Sequence, residues 1–198
     1  MSWIETYTGR RFELSNPSFC IENIAQGLSN IARFNGQCKF LSVAEHSLAV
    51  ADLMTLEGEG DPFEGLMHDA VEAYLSDVPS PFKSLLPDWS RFEDNCDRAL
   101  RRDFYLPETK SEACHKADTM MLFCEAHFLL PNKGRNFSED PSLRFRMEPL
   151  YDVFRPMGLP PGVAKSYFLK RFEELGGPAR LKKGLKLKNG EVSQHRNG

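Results

Sequence analysis

Apolar residues recur at three- and four-residue spacing along most of this chain, the period of a helix with one buried face. Ile24, Leu28, Ile31 and Ala32 predict a helix over 21–34, with Asn35-Gly36 as its stop. Val43, Ala44, Leu48 and Ala51 predict a second, running from Ser42 to about Leu56. Ser42 and Glu45 have capping-box spacing, in which the serine accepts from the third backbone amide while the glutamate reaches back. Asp61-Pro62 opens a third helix, expected to continue unbroken through His68, Asp69 and Glu72 and to stop near Tyr74. Pro79 and Pro81 are expected to keep the stretch 76–81 out of helix. Asp88 is expected to cap a helix over 89–105, and Ser111 one that reaches Leu130. A polar loop over 131–141 follows, and Val163–Leu175 is the last helix expected. Only Trp3–Leu14 alternates, weakly, as a hairpin would. The fold class expected is all-α, a helical bundle with a short N-terminal β-hairpin.

Length and charge narrow the picture. A chain of 198 residues fits one domain, and a net charge of −3 gives no global reason to expect a nucleic acid polymer as partner. The charge is unevenly placed: from Gly176 onward Arg180, Lys182, Lys183, Lys186, Lys188 and Arg196 face a single Glu191. The domain is therefore expected over 1–175, with 176–198 a basic, flexible tail. Five cysteines without CxxC spacing argue against a disulfide framework or a zinc ribbon. No apolar run approaches the roughly 18 residues of a membrane span, so a soluble, cytoplasmic protein is expected.

The candidate chemistry lies in Gly65-Leu66-Met67-His68-Asp69-Ala70-Val71-Glu72-Ala73-Tyr74. An imidazole and a carboxylate side by side in apolar surroundings destabilise a core unless something binds them, most simply a metal ion. His46 on the preceding helix and Asp118 on a later one complete a set of two imidazoles and two carboxylates. Such a nitrogen and oxygen set suits one divalent transition metal (Mn, Co, Ni, Fe or Zn). On an octahedral ion it leaves two positions, for water and a phosphate oxygen. His115 and His127 read as ordinary residues, and Arg101-Arg102 with Arg144 and Arg146 as solvated faces.

The order His, His-Asp, Asp on successive helices resembles the HD-domain metal-dependent phosphohydrolases. The match is closest to the bacterial and phage branch of 5′-deoxynucleotidases. It rests on Ser-Val-Ala-Glu-His at 42–46, Leu-Met-His-Asp-Ala-Val-Glu-Ala-Tyr at 66–74, Asp77-Val78-Pro79 with Pro81 and Lys83, and Lys-Ala-Asp at 116–118. It spans about 1–175.

The resemblance implies that His46, His68, Asp69 and Asp118 hold the metal. It also implies that Glu72 is the acid/base residue and that Asp77 assists the same step. Arg33 matches a phosphate-binding arginine, and Phe34 stands where the family has a tryptophan against the sugar. Lys83 is a second candidate phosphate contact, and Lys116 a further cation. The expected reaction is hydrolysis of a deoxynucleoside 5′-monophosphate. Release of triphosphate from a deoxynucleoside triphosphate, as in the phage dATP triphosphohydrolases of this branch, is the alternative. A non-catalytic nucleotide sensor would be favoured by loss of a ligand or of Glu72, and all are present. The family also implies a homodimer or larger homo-oligomer.

Overall fold

The computed structural model describes residues 3–135, 142 and 146–188. Strands β1 (Trp3–Glu5) and β2 (Arg11–Glu13) pair antiparallel, with Ile4 opposite Phe12. The main helices are α1 (Ile21–Asn30), α2 (Val43–Glu57), α3 (Pro62–Met67), α4 (Glu72–Leu75), α5 (Ser80–Lys83), α6 (Pro87–Asp103), α7 (Glu112–Leu129), α8 (Pro161–Glu174) and α9 (Gly177–Lys188). The protein is all-α with a short two-stranded hairpin, as its periodicity predicts.

Helix α2 is the hub, packed against α1, α3, α7 and α8. It takes that place by burying Val43, Ala44, His46, Ser47, Val50, Ala51, Leu53 and Met54, which surround most of its circumference. Two apolar clusters flank it. One gathers Phe12, Ile24, Leu28, Phe63, Leu66, Leu100, Phe168 and Phe172; the other gathers Val50, Leu53, Met54, Cys114, Met120 and Cys124. Gly65 lets α3 lie directly on α2, since a Cβ there would sit 2.7 Å from the Met54 sulfur and 3.1 Å from the Ala51 Cα. That approach brings the His-Asp segment to the helix that carries His46. The hairpin packs on α4, with Phe12 stacked on Tyr74 at 4.2 Å between centroids.

Several expectations are corrected. Helix α1 ends at Asn30 because Ile31 and Ala32 turn extended and pair with the strand-like entry to α2, through Val43 N–H to Ile31 O and Arg33 N–H to Leu41 O. Arg33 and Phe34 therefore sit in a tight turn, with Phe34 and Asn35 at positive φ (54° and 53°). The helix through His68 is not continuous. It breaks after Met67, and bonds from Ala70 N to Met67 O and from Glu72 N to Asp69 O tighten the backbone before α4 resumes. Three-residue bonding brings i and i+3 into line, so Asp69 and Glu72 are aligned where an unbroken α-helix would align His68 and Glu72.

Glu45 does not close a capping box. Ser42 accepts from Glu45 N–H, but the Glu45 carboxylate accepts from the amides of Met157, Gly158 and Leu159 and ties that loop to α2. Asp88 lies in the first turn of α6, which starts at Pro87. Arg101 is 2% exposed, held by Glu64 and Asp97, and is no solvated face. The stretch 177–188, expected in a flexible tail, is helical and packs on α6 and α8. Leu181 and Gly184 face inward there, and Arg180 pairs with Asp61 at 2.7 Å over the Phe63 ring. The remainder of that expected tail, 189–198, and Arg144 lie outside the described residues, as does part of the 131–141 loop. All five cysteines are free thiols. Among the described residues no helix is long and apolar enough to cross a membrane.

Candidate metal centre

His46 comes from the first turns of α2, His68 and Asp69 from the tight turn after α3, and Asp118 from α7. One donor atom each from His46, His68 and Asp118 falls within 4.8 Å of the other two. His46 Nε2 is 3.2 Å from Asp118 Oδ1, and His68 Nε2 is 3.7 Å from that oxygen. Asp69 stands beside this trio, its Oδ2 3.0 Å from His68 Nε2 and 3.7 Å from His46 Nε2. All four sequence candidates thus come together.

The outer nitrogens fix how the rings present themselves. His68 Nδ1 donates to the Gly65 carbonyl at 2.8 Å, and His46 Nδ1 donates to Glu125 Oε1 at 2.6 Å. Neither oxygen can donate, so in each neutral ring the proton is on Nδ1 and the lone pair on Nε2 points into the cluster. His68 Nε2 is buried, and although Asp69 Oδ2 lies 3.0 Å away it makes no well-aligned hydrogen bond. A lone pair facing carboxylate oxygens at these distances is repulsive unless a cation or a proton lies between them. Without a metal the proton takes that place. Burial opposes charge on His68, but Asp69 and Asp118 outweigh it and push the ring up to about 9. His46 is also raised, against burial and Arg33, by Glu125 and Asp118. Burial would raise Asp69 and Asp118, yet the His68 charge holds both well below the ordinary carboxylate range. The donor set, the orphaned nitrogen and the paired charges fit a divalent ion.

Glu72 is 8% exposed, and its Oε2 has no hydrogen-bond partner. Burial, followed by repulsion from Asp69 and then Asp77, raises its pKa well above the usual glutamate value, so it holds a proton where an exposed glutamate would not. Asp77 is raised too, chiefly by burial, while Arg33 draws it down from 3.9 Å. Lys83 binds Glu93 at 2.6 Å and lies within electrostatic reach of Glu72 and Asp69. The Arg33 guanidinium lies 5.6 Å from the Phe34 ring centroid and gives its Nε and Nη2 to Glu125. Lys116 is turned away, paired with Glu57 and Glu59.

Two site residues escaped the sequence reading. Lys110 reaches Asp118 Oδ2 at 2.5 Å from just before the Ser111 cap. Glu125, 1% exposed, holds both His46 and Arg33. Its position seven residues after Asp118, two turns along the same face, was the available signal. Lys110, lying in a loop, left none.

Fold and cluster together define a helical protein whose hub helix presents a buried histidine–carboxylate group at metal-binding distance. No family model matches the chain. It is 36% identical over 179 residues to YfdR of Escherichia coli (strain K12), an uncharacterised protein, covering 88% of this chain and 96% of that relative. A second uncharacterised relative, RCAP_rcc00048 of Rhodobacter capsulatus, is 34% identical over 140 residues, 63% of this chain and 71% of its own length. The chain belongs to the family of YfdR.

Proposed function

We propose that this protein is an HD-domain phosphohydrolase that uses one divalent transition metal to remove phosphate from deoxynucleoside 5′-monophosphates. The observation that carries the reading is the pair of inward Nε2 atoms of His46 and His68 facing Asp69 and Asp118, with a buried Glu72, its Oε2 without a hydrogen-bond partner, beside them. A divalent ion held by those four residues would supply Lewis acidity, acidifying a water and polarising a phosphoryl oxygen.

The chain's own groups divide the remaining work. Glu72, whose hold on its proton is strengthened by burial and by Asp69, is placed to give that proton to the departing sugar oxygen as the P–O5′ bond breaks. Asp77, held by Arg33, takes up the proton that the attacking water loses. Lys83, Arg33 and Lys110 bring positive charge to the phosphate. Water adds to phosphorus, and the products are deoxynucleoside and inorganic phosphate. A ribose 2′-hydroxyl against Phe34 would lose its water without gaining a partner. That costs roughly 1–3 kcal/mol, about a ten- to hundred-fold preference for deoxy substrates.

One observation favours the triphosphate alternative. Lys110 adds a third cation to Lys83 and Arg33; each is now paired with a carboxylate, and a longer phosphate chain could take the place of Glu93 at Lys83 or of Asp77 at Arg33.

The test is product release from dNMPs, NMPs and dNTPs with Mn, Co and Ni after chelation. Metal-dependent phosphate release that favours dNMP supports the reading, and Phe34→Ala should narrow the sugar preference. Triphosphate release from dNTPs with inert dNMPs selects the alternative. Full activity in protein shown to be metal-free overturns both. Glu72→Ala should keep its metal and lose roughly 10²-fold or more in turnover, the usual scale for a positioned proton-transfer group.

A further inference from the structure

Glu125 divides its two carboxylate oxygens between two other residues. Oε1 accepts the His46 Nδ1 proton at 2.6 Å, and Oε2 accepts Arg33 Nε at 3.2 Å and Nη2 at 3.1 Å. The three side chains come from α7, α2 and the turn after α1, and nothing in the apolar packing requires a carboxylate there. We propose that Glu125 is a positioning residue that couples metal retention at His46 to anion binding at Arg33. The proposal rests on the metal-phosphohydrolase reading and deepens it.

Only a carboxylate satisfies both neighbours at once. His46 must donate through Nδ1 if its Nε2 lone pair is to face Asp69 and Asp118. An acceptor on that side therefore fixes the ligating tautomer, as carboxylates behind metal-bound histidines do. Arg33 presents two parallel N–H groups that need an acceptor on the other side. A charge on Oε2 sets where the guanidinium lies, and hence where Nη1, 3.9 Å from Asp77, meets the reaction site. The two functions share one rigid group of three atoms, so a change in either end is felt at the other.

Glutamine separates the two demands. With its carbonyl toward His46, its NH2 faces the Arg33 guanidinium, and neither arginine N–H has an acceptor. With its carbonyl toward Arg33, its NH2 needs a lone pair on Nδ1, which moves the ring proton to Nε2 and removes a metal ligand. Glu125→Gln must therefore fail at one end while matching the native side chain in shape.

The experiment is calorimetric titration of the full chain with Mn²⁺, then with inorganic phosphate at saturating Mn²⁺. It uses the wild type, Glu125→Gln, Arg33→Ala and the double variant, each checked for native circular dichroism. Glu125→Gln should weaken Mn²⁺ binding by about 10- to 100-fold, the usual cost of losing such an outer partner, or weaken phosphate by at least tenfold. Arg33→Ala should shift Mn²⁺ affinity although it touches no metal ligand, and should add nothing further in the Glu125→Gln background. Native-like binding of both ions by Glu125→Gln, or additive effects in the double variant, overturns the coupling. If Glu125→Gln does not fold, Arg33→Lys decides: it keeps the charge but cannot form the paired N–H bonds to Oε2, so unchanged Mn²⁺ affinity overturns the proposal. A wild-type protein that binds no Mn²⁺, Co²⁺ or Ni²⁺ removes the phosphohydrolase reading as well. Metal binding with an indifferent Glu125 removes the coupling alone.

Discussion

Glu64 and Glu72 lie eight residues apart, are both acidic and are both buried, yet their surroundings are opposite. Glu64 accepts from Ser111 N–H at 3.0 Å, from the Ser111 hydroxyl at 2.6 Å and from Arg101 Nη1 at 3.1 Å. Arg101 is in turn held by Asp97 and the Pro107 carbonyl. Every charge there has a partner, and the network ties α3 to the start of α7. Around Glu72 the reverse holds. Its Oε2 has no hydrogen-bond partner, His68 Nε2 meets Asp69 at 3.0 Å without a well-formed hydrogen bond, and Glu72 shares its space with Asp69 and Asp77. A saturated cluster stabilises the fold it sits in. A cluster with orphaned atoms and crowded like charge costs stability until a ligand completes it, and such sites are where function is found.

The largest effect should separate the two clusters by stability. Breaking a buried, hydrogen-bonded ion pair from one side costs roughly 3–5 kcal/mol. Because Arg101 keeps Asp97, Glu64→Ala should fall near the lower figure, about 3 kcal/mol, and lower Tm by roughly 6–12 °C for a chain of this size. Glu72→Gln should leave Tm unchanged or raise it, since it removes repulsion and breaks no bond. Equal losses for the two variants would erase the contrast.

Next comes metal binding. An ion at 100 times its Kd adds about 2.7 kcal/mol to the folded state. Mn²⁺, Co²⁺ or Ni²⁺ should therefore raise Tm of the chelated wild type by several degrees and leave His68→Ala unmoved. The Glu64 variant should still respond if its fold survives.

pH sharpens the same contrast more gently. His68 titrates at about 9 in the folded metal-free protein, above the ordinary value near 6.5. Stability from the charged ring is complete below about pH 6.5 and disappears as pH rises through about 9. Asp69 and Asp118 are depressed, so their contribution is present above about pH 4 and fades as pH falls further. The metal needs the neutral ring. Apparent metal affinity should then rise by up to about tenfold per pH unit as pH climbs toward 9, because one competing proton is released. A pH-independent affinity between 6.5 and 9 would contradict the placement of His68 as a ligand.

The smallest effect belongs to Lys116. Its pairs with Glu57 and Glu59 are partly exposed, so Lys116→Ala should cost at most about 1 kcal/mol and leave metal binding unchanged. A loss of phosphate affinity in this variant would return Lys116 to the site.

Much of this protein was legible in its sequence because the information is local or chemically costly. Helical periodicity along Val43–Ala51 and the Ser111 cap arise from residues a turn apart, which is why their elements fall where expected. A His-Asp pair among apolar residues is conspicuous because burying it without a ligand destabilises a core. His68 and Asp69 could be picked out for that reason, while His46 and Asp118 joined them as ligands through the resemblance to the HD-domain phosphohydrolases. Whatever depended on distant partners was decided only in three dimensions. Helix α1 stops at Asn30 because residues 41–43 offer its last residues a better pairing than another turn. Glu45 leaves its cap for the amides of 157–159, more than a hundred residues on. Arg101 is buried because Glu64 awaits it across α3, and 177–188 is ordered because Leu181 and Gly184 find the end of α6. Glu125 and Lys110 join the site for the same reason: a charge is recognisable in sequence, but its partner is set by how the helices pack.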